Sequence, residues 1–145
     1  MLALMFERLR FVRYALKFER AFKTDDWTEV KACFHPDGAY VVVGSGTRYD
    51  GVHRGRDAIA DVFKRMLDEV DRKYERRRPG LAGWPRVEDG ELVLPWKARY
   101  SVGERSTLLT GTSRCRWQGG LILELEDTMV PAEVKRWAEL VGVSV

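Results

Sequence analysis

The sequence predicts an α+β fold, in which helices pack on one face of a curved antiparallel sheet. Apolar residues recur at helical spacing in the segments 5–23 and 56–72. Apolar and polar residues alternate strictly in the segment 121–130, which is typical of a half-buried strand. Further strand-like segments, separated by turn residues, follow the long helices. This order, helices first and then a run of strands, indicates an α+β domain.

The first predicted helix, residues 5–23, has a wide apolar face. Met5, Leu9, Val12 and Leu16 form one stripe along it, and aromatic residues and Ala15 form a neighbouring stripe. Together, the two stripes give the helix one wide apolar face.

The next elements up to the middle of the chain are shorter. Asp26 is a suitable N-cap for a second helix, with Glu29 as its reciprocal partner. The remaining elements predicted here are a turn at 35–38, a strand at 39–43, a short strand near 49–53 and the helix 56–72.

The second half of the chain predicts four strands and a final helix, which Pro131 begins. A Pro- and Gly-rich stretch, 79–85, separates the first two of these strands. Pro95 conflicts with a central strand and indicates an edge or a bulge at that point. The predicted strands are 73–78, 91–102, 106–117 and 121–130.

Length and composition bound the class of protein. A chain of 145 residues is expected to form one domain, 1–145, with a single core. Its 45% hydrophobic and 32% charged residues are typical of a soluble globular protein. The net charge of +3 is too small to indicate a nucleic-acid partner. The basic run 72–78 has no accompanying phosphate-binding or recognition motif, so a solvated strand or loop is favoured there.

Targeting and redox signals predict a cytoplasmic protein without a membrane partner. Cys33 and Cys115 are too few and too far apart for a disulfide framework or a zinc site, and both are expected to be reduced. The apolar start, Met1–Phe6, is too short for a signal peptide, and its charges follow the apolar stretch. The only two histidines, His35 and His53, have no carboxylate at ligand spacing, so we expect neither a metal nor another cofactor.

Asp127 is the most informative single residue of the sequence. In the alternating segment 121–130 it shares the parity of the apolar residues, where a carboxylate is costly unless it has a partner or a raised pKa. It is therefore the candidate catalytic residue. The alternative is structural: the carboxylate caps the helix that Pro131 begins, or accepts a hydrogen bond from a backbone N–H near the strand end.

Hairpin turns predict the neighbours of Asp127. A two-residue turn at Gly103 and Glu104 pairs Trp96 with Gly111, and a three-residue loop at 118–120 pairs Gly111 with Asp127. These three residues would then lie in one row across neighbouring strands. The missing side chain of Gly111 would leave a gap into which the indole and the carboxylate could both lean. Ser113 lies diagonally beside Asp127, and Tyr100 lies on the face of Trp96.

Several segments resemble the nuclear transport factor 2-like superfamily, and more narrowly its SnoaL-like branch. They are "DDWTEVKACFHPDGAY" after the first helix, "YDGVHRGRDAI" at the third, and "WQGGLILELED" near the end. The resemblance covers nearly the whole chain. It implies a cone-shaped fold, with three to four helices on the concave face of the sheet, a deep apolar pocket, and commonly a homodimer. It is weak for function, because the superfamily includes isomerases, cyclases, dehydratases, epoxide hydrolases and binding proteins.

Catalytic residues of two relatives can be compared with this chain. At the positions of the three functional groups of ketosteroid isomerases, this sequence has Val42, Phe18 and Ser113, so that mechanism is not expected. Of the limonene epoxide hydrolase apparatus, only the last Asp has a counterpart, Asp127. The Arg-x-Asp region reads Lys97-Ala-Arg99 and lacks its Asp.

These observations lead to one favoured function and two alternatives. We expect a cofactor-independent isomerase, cyclase, lyase or hydrolase that acts on a small hydrophobic molecule, with a raised pKa making Asp127 its acid or base. A binding protein without chemistry and a dimeric assembly module are the alternatives. The residues expected to contact the ligand are Tyr40, Trp96, Ser113, Tyr100, Phe18, Val42 and Gly111.

Overall fold

The computed structural model describes residues 2–145, with side chains from Leu4 onward, and Met1 lies outside the described residues. Four helices and seven strands confirm the α+β prediction. The helices are α1 (Leu2–Thr24), α2 (Thr28–Cys33), α3 (Arg56–Glu69) and α4 (Pro131–Glu139). The strands are β1 (Phe34–Val43), β2 (Gly51–Arg54), β3 (Arg76–Leu81), β4 (Arg86–Glu88), β5 (Glu91–Val102), β6 (Arg105–Gln118) and β7 (Leu121–Met129).

The strands form one curved, open sheet in the order β2-β1-β7-β6-β5-β3, and the short β4 also pairs with β5. The sheet is mixed, because β1 pairs with β7 in parallel whereas every other pairing is antiparallel. The expected purely antiparallel sheet is corrected at this pairing. Parallel neighbours need a crossover connection, which here runs through α3 and the strands β2 to β6.

The first helix buries only one of its two apolar stripes. Tyr14 is buried and Phe11, Phe18 and Phe22 pack against the core, whereas the stripe of Met5, Leu9, Val12 and Leu16 is at least half exposed. The wide apolar face of α1 is therefore buried on one side only, because no other element of the described chain covers the outer stripe. Despite its length, α1 is not apolar enough to pass through a bilayer, and neither is any other helix within residues 2–145.

The observed boundaries of α2, α3 and β1 differ from the predicted ones where the local hydrogen bonds differ. The Asp26 carboxylate accepts a hydrogen bond from the Thr28 N–H at 3.0 Å, but the N-cap position itself is Trp27. The third helix ends at Glu69, and a 3-10 turn, Asp71–Lys73, follows it. The predicted turn at 35–38 is an irregular part of β1, since the pairing register with β7 shifts between Phe34 and Ala39.

Pro95 lies inside β5 without breaking it. On one side its partner is Thr112 of β6. On the other side, β4 pairs with β5 only up to Val93, and β3 pairs with it only from Trp96 onward. The proline therefore occupies a gap where β5 is locally an edge, and its missing N–H leaves no ladder partner unsatisfied.

Candidate functional site

A cavity of about 610 Å³ lies between the sheet and the helices. Its volume is within the range of pockets that hold small molecules, roughly 300–1,000 Å³. Most of its wall is apolar, and the polar side chains that interrupt it are few. Representative wall residues are Phe11 and Phe18 from α1, Phe63 and Leu67 from α3, and Trp96 and Leu125 from the sheet.

Asp127 faces this cavity from β7 and is held there by two hydroxyl groups. The Tyr40 hydroxyl donates to Oδ2 of Asp127 at 2.7 Å, and the Ser113 hydroxyl donates to Oδ1. Tyr40 and Ser113 are themselves buried in β1 and β6. Among the described residues, no cation forms an ion pair with Asp127. The carboxylate is therefore stabilised by hydrogen bonds alone.

Burial raises the pKa of Asp127, because the ionised form loses its hydration. The hydrogen bonds from Ser113 and Tyr40 oppose this rise, because they favour the ionised form, and Trp96 opposes it less. The charge of Glu126 adds to the rise. A carboxyl group in this setting can hold or release a proton closer to neutral pH than an exposed aspartate can.

The register beside Asp127 differs from the predicted one by two residues. Ser113, rather than Gly111, lies directly opposite Asp127, and Gly111 faces Met129. The hairpin turn has two residues, Gly119 and Gly120, both with positive φ. In addition, the register shifts by one more residue between Arg116 and Trp117. The shorter turn and the register shift each displace β7 by one residue relative to β6. Because the total displacement is two residues, Asp127 stays on the predicted face of the sheet, but its neighbour is the hydroxyl of Ser113.

The predicted contact between Trp96 and Gly111 is present. The two residues are register partners in β5 and β6. A Cβ atom at Gly111 would overlap Cζ2 of Trp96 and would lie 2.7 Å from the carbonyl oxygen of Thr128. The indole therefore occupies the space that a side chain at this position would fill, and it forms part of the cavity wall.

Tyr14 of α1 also places a hydroxyl donor in this cavity. Its ring packs against Phe11 and Phe34, and burial, followed by the charge of Asp127, raises its pKa well above the usual value. Its hydroxyl therefore stays protonated, and no described residue accepts a hydrogen bond from it. The helical spacing of Tyr14 gave no sign of this, because its ring belongs to the apolar face of α1.

A second carboxyl group, that of Asp71, lines the cavity and was missed by sequence reasoning. Asp71 is buried and accepts a hydrogen bond from the Tyr100 hydroxyl at 2.7 Å, while Nε of Arg77 lies 3.7 Å from Oδ2. Burial raises the pKa of Asp71 to about 6, against the opposing effects of Tyr100 and Arg77. Asp71 follows α3 within a charged run, where the pattern favours exposed residues.

The other predicted contact residues divide between the two carboxylates. Val42 is the register partner of Asp127 in the parallel pairing, and Phe18 lines the cavity with its ring 5.3 Å from that of Phe63. Tyr100 lies on the expected face, but its hydroxyl donates to Asp71 rather than pointing to Asp127.

The structural alternatives for the polar candidates can also be compared with the geometry. Asp127 does not cap α4, whose first residues receive no side-chain cap. His35 accepts a hydrogen bond from the Asp37 N–H at 3.0 Å, and Nε2 of His53 lies 2.7 Å from the Tyr49 carbonyl oxygen. Cys33 and Cys115 are free thiols. Within the described part of the chain, no group of His, Cys, Asp and Glu side chains is placed to hold a metal ion.

Comparison with protein families gives one match. Residues 15–125 match the SnoaL-like domain, which covers more than half of the chain. No curated protein matches the chain.

Solved structures show the same architecture. An NTF2-like protein of unknown function from Burkholderia pseudomallei is 21% identical, covers 88% of this chain and 96% of its own, and has a TM-score of 0.66. TerC, co-crystallised with polyporic acid, is 13% identical over 90% of this chain and 98% of its own, with a TM-score of 0.65. A phenazine biosynthesis-related protein from Pseudomonas aeruginosa is 14% identical over 99% of this chain and 89% of its own, with a TM-score of 0.66. At these identities, the similarity shows an NTF2-like fold alone.

Proposed function

The chain belongs to the SnoaL-like domain family, and from this premise we propose that its cavity binds a small, largely apolar molecule on which Asp127 acts as acid or base. The reaction class is a cofactor-independent isomerisation, cyclisation, elimination or hydrolysis. The observation that carries this proposal is the half-buried carboxylate of Asp127, held by two hydroxyl groups in the wall of a ligand-sized cavity.

The arrangement around Asp127 suits proton transfer. In its ionised form the carboxylate takes a proton from an acidic C–H or O–H of the ligand, and in its protonated form it returns that proton to another atom. Tyr14 has a hydroxyl proton to donate to a ligand oxygen on which negative charge develops. Tyr40 and Ser113 already donate their hydroxyl protons to Asp127, so they orient the carboxylate and can contact the ligand only as hydrogen-bond acceptors or by packing.

A binding role without chemistry is the second candidate, and one observation bears on the choice. A purely structural aspartate is commonly satisfied by backbone N–H groups or by a cation. Asp127 instead accepts hydrogen bonds from two side-chain hydroxyls, and its pKa is raised. This difference favours the enzyme.

Two of the structurally similar proteins are connected with small aromatic molecules. TerC was crystallised with polyporic acid, and the Pseudomonas aeruginosa protein is described as related to phenazine biosynthesis. Both descriptions agree with a ring-bearing, mostly apolar ligand for the aromatic cavity of this chain, and we propose that class.

The proposal is tested first by native mass spectrometry of the purified chain, followed by extraction of any molecule that it carries. We expect an adduct of small-molecule mass, and turnover of that molecule with a pH profile governed by a group whose pKa is above that of an ordinary aspartate. Turnover that is unchanged in Asp127→Asn would overturn the acid–base assignment. A chain that carries nothing, and whose Tyr14 and Trp96 signals do not respond to apolar alcohols in NMR titrations, would overturn ligand binding.

We further propose that the chain is a homodimer. The supporting observation is the exposed apolar stripe on α1, where Leu9 is 50% and Leu16 is 59% exposed. Burying such a stripe against a second copy removes apolar surface from water. Light scattering coupled to size exclusion should give twice the chain mass for the wild type and the chain mass for Leu16→Lys. A monomeric wild type would contradict the proposal.

A further inference from the structure

The cavity has a second polar position, centred on Asp71, that the proposed reaction at Asp127 does not use. Asp71, Arg77 and Tyr100 all contribute to the cavity wall. They come from the 3-10 turn, β3 and β5, whereas Asp127, Ser113 and Tyr40 come from β7, β6 and β1. The two sets share no residue and no strand.

The two positions are well separated on the sheet. Ser113, which binds Asp127, faces Leu94 of β5, and Tyr100 lies six positions further along the same strand. At about 3.3 Å per residue, these two points of the sheet are roughly 20 Å apart. The intervening wall is apolar and includes Trp96, Ala98 and Leu109. The charge of Asp71 also raises the pKa of Tyr40, so the two positions remain electrostatically coupled across the cavity.

Hydrogen bonding at the second position is incomplete. The Tyr100 hydroxyl is fully used, because it donates to Oδ2 of Asp71 and accepts from Nε of Arg77 at 3.3 Å. Arg77 also donates from one terminal nitrogen to Glu19 at 2.6 Å, and its guanidinium lies over the ring of Phe22. In the described part of the chain, no side chain besides Tyr100 donates to the Asp71 carboxyl group, which otherwise receives only the N–H of its own residue. No described residue accepts from the other terminal nitrogen of Arg77.

The free atoms of Asp71 and Arg77 are an acceptor beside a donor. A hydroxyl group matches this pair, because it donates to Oδ1 of Asp71 and accepts from the free nitrogen of Arg77. Resting on the proposed function, we propose that Asp71 and Arg77 form a second ligand-binding position, and that the ligand is an elongated, mostly apolar molecule with a hydrogen-bonding oxygen at each end.

The alternative to a binding position is a network that only fixes the 3-10 turn to α1, β3 and β5. The two explanations differ in what they predict for a ligand that carries a second hydroxyl. In an apolar pocket, a hydroxyl without a partner weakens binding by about tenfold or more. With Asp71 and Arg77 as partners, that penalty is removed and a gain of similar size is expected.

The experiment compares alcohols with matching diols. The probes are 1-octanol and 1,8-octanediol, with shorter and longer pairs of the same kind, and their dissociation constants are measured by NMR titration. At one chain length or more, we expect the diol to bind the wild type at least as tightly as the alcohol. In Asp71→Asn we expect the alcohol to bind about tenfold tighter than the diol at every length. Asp61→Asn, which removes an exposed carboxylate from α3, is the control and should behave as the wild type.

The possible results separate the two proposals. If the alcohols bind but the diols bind about tenfold more weakly to the wild type and to Asp71→Asn alike, the second position is wrong and the cavity remains a ligand site. If neither alcohol nor diol binds the wild type, both proposals fail. Should Asp71→Asn not fold, as judged by its near-UV circular dichroism, Arg77→Lys replaces it, because this variant keeps the charge but loses the free donor.

Discussion

The two ends of the cavity each hold a carboxyl group, but in different ways: Asp71 is buried and Asp127 is half-buried. Asp127 has two hydroxyl donors and no ion pair within the described residues, whereas Asp71 has one hydroxyl donor and the guanidinium of Arg77 nearby. In both cases burial is the largest influence on the pKa and raises it. The cation at Asp71 fixes a charge distribution there, which suits binding. Its absence at Asp127 leaves the proton as the means of neutralising the carboxylate, which suits acid–base chemistry.

The largest expected effect is on the kinetic constants, which should respond differently to substitution of Asp127 and of Asp71. With the substrate identified from the purified chain, Asp127→Asn should lower kcat by roughly 10²–10⁴, because general acid–base catalysis contributes about that much. Asp71→Asn should instead raise KM about tenfold, with kcat within a factor of about two, since one hydrogen bond to a charged group is lost. The measurement is steady-state kinetics.

The matched control for the kinetic comparison is Glu124→Gln, on the same strand as Asp127 but on the opposite face of the sheet, where Glu124 pairs with Arg116. It should change neither constant. If Asp71→Asn lowers kcat as much as Asp127→Asn does, the division of roles between the two ends is wrong.

The second expected effect is on stability against pH. Asp71 has a pKa of about 6 in the folded chain, against an ordinary value of 3.8, so the folded state holds its proton more tightly than the unfolded state. Its contribution is therefore present below about pH 4 and is lost as the pH rises through 6, by on the order of 3 kcal/mol. Urea unfolding of the wild type and Asp71→Asn from pH 4 to pH 7 measures this loss.

The difference between the two unfolding free energies should shift in favour of Asp71→Asn as the pH rises. Other titrating groups are common to both chains and cancel. Two curves that stay parallel over this interval would show that Asp71 titrates alike in the folded and unfolded states, and the contrast with an ordinary aspartate would be lost.

The third expected effect is a loss of stability when Gly111, which lies against Trp96 in the cavity wall, is replaced. Gly111→Ala places a Cβ against the rigid indole of Trp96 and the backbone oxygen of Thr128. Neither contact can be relieved without moving β5 or β7, so unfolding free energy should fall by about 1–3 kcal/mol. Gly80→Ala in β3 is the control, because nothing lies within 4 Å of its new Cβ. Equal thermal denaturation midpoints for the two variants would contradict the close contact.

The smallest expected effect tests the hydroxyl donors one at a time. Tyr40→Phe and Ser113→Ala should each raise the pKa of Asp127 further, because each removes a hydrogen bond that favours the ionised carboxylate. Tyr100→Phe should raise the pKa of Asp71 for the same reason. Carbon-13 NMR titration of the aspartate carboxyl groups reports both. A pKa of Asp127 that falls in Tyr40→Phe would reverse the assigned direction of that hydrogen bond.

Local patterns of the sequence predicted much of the fold. The bounds of β5 and the start of α4 agree with prediction, and Trp96 lies opposite Gly111 because the turn at Gly103 sets that hairpin alone. Asp127 was placed on the correct face by its parity in the alternating strand. The turn at Gly103 and the alternation of apolar and polar residues are both local features, so they can be recognised from residues close together in the sequence.

What sequence reasoning missed depends on contacts between distant segments. The neighbour of Asp127 was wrong by two residues because of the short Gly119–Gly120 turn and a register shift in the strand after it. From Ala39 onward, the parallel pairing of β1 with β7 joins residues 85 positions apart, which no local pattern reports. Asp71 is buried by α1, β3 and β5 together, and in sequence it is one charge among several.

The two outermost strands of the open sheet bear on how the protein behaves at high concentration. Strand β2 spans four residues, and β3 carries Pro79 together with the exposed Arg76 and Arg78. A proline removes a backbone donor from that rim, and like charges repel an identical rim on another molecule. Strand-to-strand growth into fibrils is thereby disfavoured at both rims, so association between copies is directed away from the sheet borders and onto side-chain surfaces.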